Sequence, residues 1–174
     1  MDKIRITNKL NPLYSRFKKL YSGSFPVFEQ RTVGQQDAAF SSHRYHLTAY
    51  EENGTFVGFI SYWEFDTYIY IEHFAVDTKL RGTGYGSLIL NSFAKEQSKV
   101  IILEIDPVTD DISASRLRFY EKCSFHKNDY NHIHPPYRKG YDGHRLIVLS
   151  SNSKISCEEY ELFSMDLKNI VMAV

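Results

Sequence analysis

One stretch limits what this chain can become more than any other. Tyr68 to Val76 is aromatic or apolar at nearly every position, odd and even alike, which suits a central strand covered on both faces. Asp77-Thr78-Lys79-Leu80 leads into Arg81-Gly82-Thr83-Gly84-Tyr85-Gly86, and a helix follows from Ser87 to about Glu96 with Leu88, Ile89 and Phe93 facing inward. A second buried strand, Val100 to Ile105, comes next. Strand, glycine turn, helix and strand make a parallel crossover, so the chain reads as α/β.

The geometry of such a turn says what it can hold. Backbone N–H groups at a helix N-terminus have no intrahelical acceptor, and the positive end of the helix dipole lies with them. A phosphate or pyrophosphate suits that position. Glycines let the main chain approach it closely, and Arg81 adds a full charge. A P-loop, however, ends in Gly-Lys-Ser/Thr, whereas this turn ends Gly86-Ser87-Leu88. The dinucleotide fingerprint wants Gly or Ala where Ser87 stands, although Glu104 lies about twenty residues on, where its ribose-binding acid belongs. Dinucleotide binding is thus the runner-up for the turn.

The other segments surround this unit. Asn11-Pro12 starts a helix, and Leu13, Phe17, Leu20 and Tyr21 share one of its faces until Gly23 and Pro26 end it. A weaker helical segment runs from Phe28 towards Phe40. Tyr45 to Glu51 and Thr55 to Phe65 are strands, and Asn53-Gly54 between them signals a hairpin. Ser113 to Glu121 reads as helix, Phe125 onward as extended chain broken at Pro135-Pro136, and His144 to Leu149 as the last strand. Ser156 and Glu159 form a capping box for a terminal helix with Tyr160, Phe163, Leu167, Ile170 and Val171 as its apolar stripe. No repeat or linker divides the 174 residues, so a single domain, 1–174, is expected. The helix over 156–172 is then an appendage that caps the sheet or forms a homodimer contact.

Composition removes several classes. Twenty-one basic residues balance twenty-one acidic ones, so the basic footprint of a nucleic-acid or anionic-membrane binder is missing. The start lacks a secretory signal and no apolar run is long enough to cross a bilayer. Cys123 and Cys157 read as reduced packing thiols. A cytoplasmic protein with no nucleic-acid or membrane partner is expected. Thirteen Tyr and twelve Phe point to aromatic strands and an aromatic-lined cleft.

The string Glu72-His73-Phe74-Ala75-Val76-Asp77, followed by Arg81 to Gly86, resembles the central signature of the GNAT superfamily of N-acetyltransferases. Arg116-Leu117-Arg118-Phe119-Tyr120-Glu121-Lys122-Cys123-Ser124-Phe125 resembles that family's second signature, with Ser124 where glycine is usual. The resemblance implies a mixed, mostly antiparallel twisted sheet with a central parallel strand pair, flanked by helices, plus the extra C-terminal helix. It implies a V-shaped split between Tyr68–Val76 and Val100–Asp106 that admits the pantetheine of acetyl-CoA. Main chain at Phe74, Ala75 and Val76 would hold the pantetheine. The amides of Arg81, Gly82, Thr83, Gly84, Tyr85, Gly86 and Ser87 would bind pyrophosphate. Ser113 stands where the family has a pantetheine-contacting asparagine, which weakens that contact. Tyr120 matches the acid that protonates departing CoA thiolate.

Acetyl transfer to a primary amine also needs a base, because a free alkylammonium has a pKa of roughly 10. Glu72, a lone acid in an apolar strand, is the candidate, since desolvation there would raise its pKa. Its alternative is a carboxylate paired with a neighbouring Arg or Lys. His73 would point to the opposite face. Glu29 lies where the family's substrate-side loop falls and would attract a cationic amine, or else remain a solvated acid. His132 and His134 share one face if their segment is extended, and His126 is near. Without a third acidic or cysteine ligand close by in sequence, no metal is expected. The expected partners are acetyl-CoA and an amine acceptor, and the rival reading is a non-catalytic acyl-CoA-binding regulatory module.

Overall fold

The computed structural model describes all 174 residues. The chain opens with β1 (Asp2–Arg5), α1 (Tyr14–Ser24) and α2 (Val33–Ser41), with a short 3-10 turn at Val27–Glu29 between the helices. Then come β2 (Tyr45–Glu52), β3 (Thr55–Glu64), β4 (Tyr68–Val76), α3 (Tyr85–Lys95) and β5 (Val100–Ile105). The last part comprises α4 (Asp111–Lys122), β6 (Phe125–Lys127), β7 (His132–His134), β8 (His144–Ser151) and α5 (Cys157–Asp166), which runs into a π-helical turn at Leu167–Val171.

The strands lie in the order β1-β2-β3-β4-β5-β8-β6, with β7 also paired to β8. Every pairing is antiparallel except β4 with β5. This is the expected mixed sheet with one central parallel pair. The β2–β3 turn has Asn53 at φ +50° and Gly54 at φ +74°, the positive-φ pair that a two-residue hairpin loop requires. β1 was not anticipated. Four residues on an edge carry too short a pattern to read.

Two layers of helix cover the sheet. On one face α1, α2 and α5 pack Phe17, Tyr21, Ala39, Phe163 and Leu167 against Leu47, Phe59, Trp63 and Tyr70. On the other, α3 and α4 bring Ile89, Leu90, Phe93 and Tyr120 against Ile60, Ile69, Ile71 and Leu103. The alternation of Ile69 and Ile71 with Tyr68 and Tyr70 between these two cores explains why β4 is apolar throughout. In α3 it is Leu90 that is sealed, whereas Leu88 is 50% exposed; with the helix starting at Tyr85, position 88 falls on its outer face. The terminal helix is more than an appendage. Phe163, Leu167 and Val171 belong to the larger core, and Arg31 Nη2 donates to Val171 O at 2.8 Å. No helix is long and apolar enough to cross a membrane.

Candidate active site

The parallel pair is short. β4 and β5 are in register from Tyr68↔Val100 to Ile71↔Leu103 and no further. Beyond that point β5 continues along β8, with Glu104 opposite Val148 and Ile105 opposite Ile147. β4 meanwhile bulges: Tyr62 pairs with Ile71 and Ser61 with His73, so Glu72 has no partner on β3. The two strands therefore part, and a cleft of about 960 Å³ opens between them, bounded by α3, α4 and the Val27–Glu29 turn.

The bulge corrects the expected facing of His73. Glu72 and His73 both reach the α1 side of the sheet, His73 packing on Tyr21 and Phe25 with ring centroids 4.9 and 4.7 Å away. It also settles what Glu72 offers. Its side chain is 0% exposed, accepting from Arg31 Nε and Trp63 Nε1, each at 2.8 Å. Burial alone would raise its pKa, but Arg31, His73 and the Trp63 hydrogen bond outweigh burial and hold the carboxyl below the ordinary range. Glu72 is thus an ion-paired structural acid rather than a base raised by desolvation. The residue as a whole is only half-buried, so its peptide, not its carboxylate, faces the cleft.

Past the bulge, Asp77 N–H donates to Val57 O. Alternation along the strand then turns the main chain of Ala75 to β3, and that of Phe74 and Val76 towards the split. Val76 O accepts from Arg81 Nε at 3.2 Å, while Arg81 Nη2 reaches Ser24 Oγ. In the glycine turn, Gly82 sits at φ +78° and Gly84, which precedes α3, at φ +93°. No backbone N–H from Arg81 to Ser87 donates to a protein acceptor. A Cβ on Gly86 would lie 3.3 Å from the Phe119 ring, so this glycine lets α3 pack closely on α4. Arg81, Arg118 and Lys122 line the cleft together with this turn, whereas Arg116 pairs with Asp106 and faces Glu29. A row of free amides with three cations in the same cleft suits a polyanion.

The opposite end is acidic and aromatic. Glu29 lies there with Phe25, Phe28, Tyr137 and His144. Burial, with Asp106 and Glu104 nearby and Arg116 opposing, pushes the Glu29 carboxyl up to about 7. Tyr120 lines the cleft between the two ends, its hydroxyl unpaired yet not sealed off, and burial pushes its pKa up to about 12. In the inner wall of the cleft, Glu104 is within hydrogen-bond reach of His132 Nε2, lies 3.7 Å from His134 Nε2, and accepts from the Tyr70 hydroxyl. No group of three or more His, Cys, Asp or Glu side chains is arranged to hold a metal ion.

The acetyltransferase (GNAT) family profile matches residues 10–125, which span β4, the glycine turn, α3, β5 and α4. The chain belongs to the GNAT acetyltransferase family. YjbC of Bacillus subtilis (strain 168), a candidate acetyltransferase by name, is 29% identical over 113 residues, covering 63% of this GNAT chain and 55% of YjbC. The chain thus spans about half the length of that curated relative. Among solved structures, a candidate GNAT-family acetyltransferase from Bacteroides thetaiotaomicron superposes with a TM-score of 0.92 at 26% identity, covering 100% of this chain and 99% of that one. Arabidopsis thaliana Naa50, in complex with the bisubstrate analogue CoA-Ac-MVNAL, shares the fold at TM-score 0.62 and 19% identity, covering 88% of this chain and 100% of its own.

Against this GNAT frame the sequence-predicted residues sort clearly. The cleft brings together Glu29, Phe74, Ala75, Val76, Arg81, Gly82, Gly84, Gly86, Ser87 and Tyr120. Thr83 and Tyr85 belong to the same turn, but the Thr83 hydroxyl donates to Leu80 O and the Tyr85 hydroxyl to Glu52. Ser113 does not reach the cleft. It is the third residue of α4, where its N–H donates to Asp110 Oδ1 at 2.7 Å and its hydroxyl accepts from the Thr109 and Asp110 amides. A capping box, not a cofactor, occupies that side chain. Arg31, Glu104 and His144 were not foreseen as parts of the site. Glu104 carries the signal that drew attention to Glu72, a lone acid in an apolar strand; Arg31 carries none.

Proposed function

We propose that this GNAT protein transfers acetyl from acetyl-CoA to a primary amine by direct attack in a ternary complex. The observation that carries the reading is the run of unpaired amides from Arg81 to Ser87 at the N-terminus of α3, beside a split that stops strand pairing at Ile71. The diphosphate of CoA sits on those amides, with Arg81, Arg118 and Lys122 as counter-charges. Pantetheine lies along the free edge of β4, where the Phe74 main chain faces the split. Naa50, which shares the fold and is in complex with a CoA-based bisubstrate analogue, supports CoA as the ligand.

Glu29 replaces Glu72 as the group that takes the amine's proton. A carboxyl at about 7 is half ionised near neutral pH and can accept a proton from an approaching ammonium. Once neutral, the amine attacks the thioester carbonyl, and Tyr120 protonates the departing thiolate. A phenol pushed to about 12 stays protonated at working pH, as this role requires. Acceptors with a compact cationic head and an apolar or aromatic body suit the Phe25, Phe28 and Tyr137 walls.

The test is CoA release from acetyl-CoA with spermidine, phenylethylamine, kanamycin and a peptide with a free N-terminus. Release above background with one of them, lost in Glu29→Gln, supports the proposal. CoA binding with no release from any amine would make the protein an acyl-CoA-binding module instead.

A further inference from the structure

Two buried imidazole nitrogens find no partner in the protein: His134 Nε2 and His144 Nε2. They stand in one line of titratable groups that starts in the cleft. Glu29 Oε1 lies 3.8 Å from His144 Nε2, the His144 and His134 rings are 5.4 Å apart, and His134 Nε2 lies 3.7 Å from Glu104 Oε2. Exposure falls along the line. Glu29 and His144 side chains are 21% and 23% exposed, while Glu104 and His134 are 4% and 2%.

The tautomer of His134 follows from its other nitrogen. Nδ1 lies 2.6 Å from the Pro135 carbonyl, which can only accept, so Nδ1 carries the proton. His134 Nε2 faces the buried Glu104 carboxylate at 3.7 Å without a hydrogen bond. Burial, with His134 beside it, holds the His144 imidazole below the ordinary histidine range, so its ring stays neutral and receptive. The other titratable or charged groups around it are Glu29 on the Val27–Glu29 turn, Glu104 on β5, Asp106 after β5 and His132 on β7, while Arg116 of α4 faces Glu29.

We propose that Glu29 and His144 act as a coupled two-site base, with His134 and Glu104 packed behind His144. This rests on the assignment of Glu29 as proton acceptor above. The acceptor ammonium gives a proton to the Glu29 carboxylate, freeing the nitrogen lone pair for attack. The new Glu29 O–H passes that proton to the His144 Nε2 lone pair and returns to carboxylate. The imidazolium, balanced by Glu104 and Asp106, loses its proton to water at the cleft. Only N–H and O–H bonds change. The 3.8 Å gap closes as substrate fills the cleft, since catalytic hydrogen bonds are often long before substrate binds.

The test has two arms. Histidine Cε1–H NMR titration of the full chain, assigned with His144→Gln, reads the coupling without any acceptor. In Glu29→Gln the His144 midpoint should fall, because its neighbouring anion is gone, and an unmoved midpoint would overturn the proposal. With whichever amine of the panel is acetylated, Glu29→Gln and His144→Gln should each lower kcat by roughly 10–100-fold, within general-base effects. The double variant should lose little more than Glu29→Gln alone, as for groups acting as one unit. Losses that multiply would overturn the coupling, as would activity that EDTA abolishes and zinc restores. If no amine is acetylated, the proposed function fails, while the titration still decides whether the pair is coupled.

Discussion

Replacing Glu72 by Gln distinguishes a structural acid from a catalytic base. The variant keeps the shape and removes the charge. In the native fold Arg31 and Glu72 side chains are 1% and 0% exposed, and Arg31 Nη1 already lacks a partner, so the variant leaves a guanidinium buried without its anion. The amide that replaces the carboxylate cannot accept with both its heavy atoms, so either Trp63 Nε1 or Arg31 Nε loses a bond of 2.8 Å. Breaking one side of a buried pair typically costs about 3–5 kcal/mol. For a chain of this size each kcal/mol moves Tm by about 2–4 °C, so Tm should fall by roughly 6–20 °C. The pH dependence has a definite sign. Because the folded pKa of Glu72 lies below the unfolded value of about 4.3, its contribution is complete above that pH and is lost as pH falls through the folded value. The stability gap between wild type and variant should therefore be constant from about pH 5 to neutrality and narrow on further acidification. Differential scanning calorimetry with matched CoA-release assays measures both. A variant that melts within about 2 °C of wild type but has lost turnover would refute the argument and restore Glu72 as a base.

Three further outcomes follow. Gly84→Ala forces a side chain to φ +93°, at a torsional cost of about 1–3 kcal/mol in an otherwise open position; it should weaken CoA binding, read by calorimetry, more than Gly23→Ala does. Tyr120→Phe should lower kcat by about 10²-fold with CoA affinity barely changed, and unchanged turnover would remove its acid role. Ser113→Ala should lower stability by about 0.5–1.5 kcal/mol in urea melts and leave CoA affinity unaltered, because its hydroxyl serves the α4 cap.

The legible parts of this protein were those whose cause is local. Both ends of β4 and β5 could be read from the sequence, because strands covered on two faces are apolar on odd and even positions alike apart from Glu72, His73 and Glu104. The capping box at Ser156 and Glu159 is written in four residues. The unpaired amides of the glycine turn were readable because glycine spacing and a helix start suffice to free them. What escaped depends on distant partners. The bulge at Glu72 is a mismatch of register with β3, and its carboxylate is claimed by Arg31, 41 residues away. The same desolvation argument that chose Glu72 applied to Glu29, yet only the packing of Phe28 on Tyr141 and His144 reveals that Glu29 is enclosed. The His132–Glu104–His134 group needs β5 and β7 brought together across the fold.

Amide NMR during a titration with CoA tests the central claim most directly. The account predicts saturable shifts concentrated at residues 82–87 and at Phe74, with much weaker binding for pantetheine that lacks the diphosphate. Shifts confined elsewhere, or equal affinity for the two ligands, would contradict it.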